Sequence, residues 1–89
     1  FVAGEVVFRD KKDECAVGVK VTLSSKGWAD VITKTDNYGE FEFEGLDADK
    51  DYTLLVEHSG YSPRKMKVKT KIDMYVGEIL LSKTPARNT

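Results

Sequence analysis

The chain has 89 residues, with one cysteine, one histidine, and 14 Lys and Arg against 15 Asp and Glu. A chain of this length hides only about 60–65% of its unfolded surface, which suffices for one two-layer core but not for a second domain or a deep cofactor cavity. The net charge of −1 and mean hydropathy of −0.40 give no sign of a nucleic-acid or membrane partner.

Cys15 alone excludes an internal disulfide framework and a cysteine-based zinc or iron–sulfur site built within the chain. A lone thiol fits a reducing, cytoplasmic setting. No window reaches the roughly 18 apolar residues of a membrane span, and no signal-peptide core is visible. The first residue is Phe1 rather than Met, the expectation for a processed chain or a piece of a longer one.

Period-two alternation predicts seven short strands in chain order. Val2, Gly4, Val6 and Phe8 share one face of the first. Arg9 to Glu14 is a charged loop. Val17, Val19, Val21 and Leu23 alternate through the second, and Trp28 to Thr35, rich in β-branched residues, forms the third. Asp36-Asn37-Tyr38-Gly39 then reads as a hairpin loop, with Gly39 the place for a bulge. Glu40-Phe41-Glu42-Phe43-Glu44 alternates strictly, as do Tyr52, Leu54 and Val56 with their neighbours. His58-Ser59-Gly60-Tyr61 is a second hairpin turn, and Pro63 marks a strand start or edge. Met66 and Val68 alternate with lysines, and Tyr75 to Leu81 closes the set with Ile79 and Leu81 inward. The pattern predicts an all-β sandwich over residues 1–82, with a flexible tail over 83–89. Tyr52, six residues after Leu46, is either a tyrosine corner or an amphipathic residue at the core edge.

Few residue types that carry chemistry are grouped. Asp47-Ala48-Asp49-Lys50-Asp51 starts like a calcium loop but has Tyr52 where Gly is needed and His58 where a bidentate Glu is needed. His58 sits in a turn and lacks partners for a zinc or acid–base site. Ser24-Ser25 is a strand end, and no phosphate loop or metal-pair motif is present. Trp28 is either a core residue or a carbohydrate-stacking platform. No catalytic, cofactor-binding or metal-binding residue is expected within the chain.

The charges, by contrast, are segregated. Alternation places Glu40, Glu42 and Glu44 on one face of their strand, and Lys65, Lys67, Lys69 and Lys71 on one face of theirs. These are either ordinary solvent faces or a dipolar surface that docks a partner, the lysines being the candidate docking face and the glutamates its acidic counterpart.

Taken together, Val2-Ala3-Gly4-Glu5-Val6, Gly18 to Leu23, Thr35-Asp36-Asn37-Tyr38-Gly39-Glu40-Phe41-Glu42-Phe43, Gly45-Leu46, Tyr52 to Val56 and Gly60-Tyr61 resemble the carboxypeptidase regulatory-like domains. That resemblance implies a transthyretin-like (prealbumin-like) seven-stranded Greek-key sandwich and a non-catalytic accessory role. Hydroxyisourate hydrolases share the fold but need further active-site residues, including His and Arg, and a Tyr-Arg-Gly-Ser signature. Here the last strand ends Leu80-Leu81-Ser82-Lys83. The Lys–Asn isopeptide bond of collagen-adhesin B-type domains is not supported either, since Asn37 lies in a turn, Asn88 in the tail, and the first strand has no Lys.

A narrower similarity, through Phe1 to Val6, Asp13-Glu14-Cys15, Asp36 to Phe41 and Val76 to Leu81, is to the C-terminal domain of ferredoxin-type iron–sulfur subunits of molybdopterin oxidoreductases, such as the transhydroxylase β subunit. It implies no cofactor in this domain, iron–sulfur clusters upstream, and docking to the ferredoxin-like region and a molybdopterin catalytic subunit. The rival expectation is a stand-alone or surface-exposed binding module for carbohydrate or adhesion.

Overall fold

Alternating apolar residues can bury one face of a strand only against a second sheet, and that is how the chain is built. The computed structural model describes residues 1–46, 50–70 and 74–84. Its strands are β1 (Val2–Phe8), β2 (Lys20–Ser25), β3 (Trp28–Lys34), β4 (Glu40–Phe43), β5 (Lys50–Glu57), β6 (Arg64–Thr70) and β7 (Met74–Leu81). They form a three-stranded sheet in the order β4-β1-β7 and a four-stranded sheet in the order β3-β2-β5-β6. β1 pairs with β4 antiparallel and with β7 parallel. Across the sandwich β4 neighbours β3, and β7 neighbours β6.

The core lies between the sheets. Val2, Val6 and Phe8 from β1, Phe41 and Phe43 from β4, and Ile79 and Leu81 from β7 meet Val21, Leu23, Tyr52, Leu54, Val56 and Val68 from the other sheet. Inward Val, Leu and Phe are therefore placed as alternation predicted. Val17 departs from its series: it is exposed and precedes β2 in a turn, whereas Val19 is buried.

Asp36–Gly39 is the main correction. The alternating runs on either side suggested a hairpin, but β3 and β4 belong to different sheets, so the segment is a corner between layers. Asp36 Oδ1 accepts the N–H groups of Tyr38 and Glu40, each at 2.9 Å, and holds the turn. Gly39 has φ +78°, and a Cβ there would stand 2.9 Å from the Val6 carbonyl oxygen. Its own carbonyl accepts the Val6 N–H at 2.8 Å, fastening the corner to β1. A non-glycine residue would be strained by both effects. The Thr35 hydroxyl donates to the Ala16 carbonyl and accepts the Val19 N–H at 2.8 Å, so the buried approach to β2 is tied to the same corner.

Gly4 makes room within its own sheet. A Cβ there would meet Val76 Cγ2 at 2.6 Å and Phe41 Cζ at 2.8 Å, both from flanking strands of its own sheet. The register of β7 shifts opposite Gly4, so that Tyr75 pairs with Ala3 and Glu78 with Glu5. This bulge lets Val76 turn toward the space that Gly4 leaves.

Candidate functional site: two charged outer faces

Alternation that buries one face of each strand leaves the other in solvent, and register decides which outward residues stand side by side. On the three-stranded sheet, Glu5 lies directly between Glu40 of β4 and Glu78 of β7. Three glutamates therefore stand abreast, one on each strand. Neighbouring strands are about 4.8 Å apart, and like charges directly opposite one another destabilise a sheet. No ion pair forms to Glu5, Glu40 or Glu78 among the described residues. The next row along is Glu42, Ala3 and Tyr75, and Tyr75 is 63% exposed. Glu44 follows β4 and is also exposed.

The outer face of the four-stranded sheet has the opposite balance. Lys65, Lys67 and Lys69 line its β6 edge, opposite Leu55, Thr53 and Asp51 of β5. Lys20 pairs with Lys34 across β2 and β3, and its ammonium lies 3.9 Å from Glu57. Five outward lysines therefore stand against Asp30, Asp51 and Glu57. Ile32, 57% exposed, lies in the row Ile32-Thr22-Leu55-Lys65.

The glutamate strip of β4 and the lysine strip of β6 are each brought to a sheet edge, on opposite faces and at diagonally opposite edges of the sandwich. Among the described residues no ion pair joins Glu40 to Lys65, Lys67 or Lys69. Lys71 lies outside the described residues, as do Asp47 and Asp49 of the acidic loop, Asn88, and the upstream segment 47–49 in which a tyrosine-corner acceptor for Tyr52 would fall.

The remaining candidates are structural in their surroundings. Tyr52 is 2% exposed, and Trp28, half-buried, meets it edge-on at 5.3 Å between ring centroids. Trp28 thus packs on the core through at least part of its ring. His58 sits in the β5–β6 turn, 5.1 Å from the Phe8 ring, beside a stacked Phe8–Tyr61 pair at 4.5 Å. An open groove of about 480 Å³ nearby is lined by Lys20, Lys34, Glu57, His58, Ser59 and Tyr61. Cys15 is exposed in the β1–β2 loop.

The Tyr61 hydroxyl donates to Asp10 Oδ1 at 2.8 Å, and Lys83 Nζ approaches Asp10 Oδ2 at 3.7 Å. The Tyr61 hydrogen bond, reinforced by Lys83, holds the Asp10 carboxyl below its ordinary value despite opposition from burial. Burial, followed by the Asp10 carboxylate, pushes the Tyr61 phenol up. Lys83 also bridges to Tyr61 through the backbone, and the Thr84 N–H donates to the Gly60 carbonyl at 3.1 Å. The start of the segment read as a tail is thus fastened to the β5–β6 turn.

Glu5 and Glu78 were missed as partners of Glu40 at the sequence level. Their outward positions are implied by alternation, but only the β1–β4 and β1–β7 registers bring the three into a row.

No protein-family model matches the chain, and no curated protein matches it in sequence. Its fold is nevertheless found among solved structures. It is similar to 5-hydroxyisourate hydrolase of Klebsiella pneumoniae, with a TM-score of 0.70 and 16% identity over 99% of this chain and 92% of that one. It is also similar to a chain of the type II cohesin–X–dockerin complex of Acetivibrio cellulolyticus, with a TM-score of 0.68 and 21% identity. That second match covers 90% of this chain and 55% of the other, so the present chain spans about half of its length. The seven strands in two sheets therefore form a transthyretin-like sandwich.

Proposed function

We propose that the chain is a non-catalytic interaction module that docks another protein within a larger assembly. The observation that carries this reading is the row Glu40, Glu5 and Glu78. Placing like charges opposite one another costs each pair roughly 0.2–1 kcal/mol relative to a neutral pair. A partner presenting cations to that face would reverse the sign of this contribution, and charge complementarity would also fix its orientation.

The iron–sulfur subunit implied by the sequence resemblance is one parent for such a module, with its clusters and molybdopterin partner outside this chain. Neither structural likeness bears on that parentage. The alternative, a surface-exposed binding module, draws support from the match to about half of a chain from a cohesin–X–dockerin complex.

The hydrolase likeness supplies the experiment. Under this reading 5-hydroxyisourate decays in the presence of the protein at the rate measured in buffer. Acceleration proportional to protein concentration would overturn the non-catalytic assignment.

A further inference from the structure

We infer that the partner of the acidic face is the basic face of a second copy of this chain, so that the module stacks head to tail through its outer sheet surfaces. The inference rests on the docking reading above and deepens it by naming the occupant.

Three observations carry it. First, the two faces are complementary: Glu5, Glu40 and Glu78 on one lack ion pairs among the described residues, and so do Lys65, Lys67 and Lys69 on the other. Second, the charged groups have similar spans. Three residues at alternate positions of β6 extend over about 13 Å, and three residues abreast on adjacent strands over about 10 Å. Third, each face has an exposed apolar group, Tyr75 in the row next to the glutamates and Ile32 on β3, at the far end of the row that reaches Lys65 on β6. Aromatic residues beside charges supply the contact area that charge pairs lack.

The faces lie on opposite sides of the sandwich, so neither can satisfy the other within one molecule. The contact is heterologous, and successive copies add in an open series rather than closing as a two-fold dimer. A net charge of −1 places little overall repulsion against that addition.

Sedimentation velocity tests the inference. At low salt the wild-type protein should show a weight-average mass that rises with concentration, and the rise should vanish near 1 M salt, where screening acts within about 3 Å. The triple variant Lys65→Glu/Lys67→Glu/Lys69→Glu and the double variant Glu40→Lys/Glu78→Lys should each remain monomeric, since each has lost one face. Mixed in equal amounts they should associate again, through the intact acidic face of the one and the intact basic face of the other, and through the two reversed faces, which are also opposite in charge. Circular dichroism spectra matching wild type, with cooperative melts, establish that the variants are folded. Glu40→Gln/Glu78→Gln, with reduced association, replaces the lysine variant if that one fails to fold.

A wild-type protein that stays monomeric at low salt, variants that associate as wild type does, or a mixture that does not associate would each overturn the inference. Such a result alongside an unaccelerated 5-hydroxyisourate decay would leave docking to a different protein standing. Accelerated decay would overturn the docking reading instead.

Discussion

Thr35, Phe43 and Asp10 illustrate three ways in which single side chains hold this sandwich. The Thr35 hydroxyl serves both the Val19 N–H and the Ala16 carbonyl in a buried setting. Thr35→Val keeps the shape and removes both bonds, so urea melts should show a loss of about 1–3 kcal/mol per orphaned group. Phe43, 4% exposed, fills the space between sheets; Phe43→Ala should cost about 3–5 kcal/mol in the same measurement. Glu42→Ala on the opposite side of the strand should cost far less.

Asp10 acts through charge. Its carboxyl is held below the ordinary 3.8 mainly by the Tyr61 hydroxyl. A carboxyl whose pKa is lowered by folding contributes stability above its unfolded value and loses it as pH falls through the folded value. The stability difference between wild type and Asp10→Asn should therefore be constant at pH values well above 3.8 and shrink as pH falls toward and below it, in thermal melts taken across that range. Tyr61 shifts the other way, and its contribution is present below pH 10.0 and lost as pH rises through its raised folded value.

At the scale of strands, burial was legible in the sequence and pairing was not. Phe41 and Phe43, or Leu54 and Val56, declare their inward face by period two alone, since a strand has only two faces. The corner at Asp36–Gly39 contains the residues of a hairpin turn, and local chemistry is the same whether the next strand pairs back or crosses to the facing sheet. What decides is the long-range pairing of β4 with β1, which local pattern does not encode.

Gly39 makes the difference testable. Because its Cβ position faces the Val6 carbonyl of a third strand, Gly39→Ala should cost more than the roughly 1–2 kcal/mol of a left-handed residue alone. A free hairpin tip would show only the smaller loss. The glutamate row makes an opposite prediction: Glu5→Gln should stabilise the fold by about 0.4–2 kcal/mol at neutral pH and low salt, because it relieves two like-charge neighbours at once. The gain should diminish in high salt.

At the scale of the molecule, the two sheets separate charge that is almost balanced overall. The sequence made the strips Glu40, Glu42, Glu44 and Lys65, Lys67, Lys69 visible, because each runs along one strand. It did not disclose that Glu5 and Glu78 complete a row with Glu40, or that the strips occupy opposite faces at diagonal edges, because both depend on strand order. The likeness to solved structures at 16% and 21% identity is likewise a matter of strand arrangement.

The proposed head-to-tail stacking is tested most directly by an amide NMR dilution series at low salt, with the resonances assigned. The account predicts concentration-dependent shifts in two groups, around Glu5, Glu40, Tyr75 and Glu78 on one face and around Ile32, Leu55, Lys65 and Lys67 on the other, both abolished by salt. Shifts confined to the backbone edge of β3, or spectra that do not change with concentration, would contradict it.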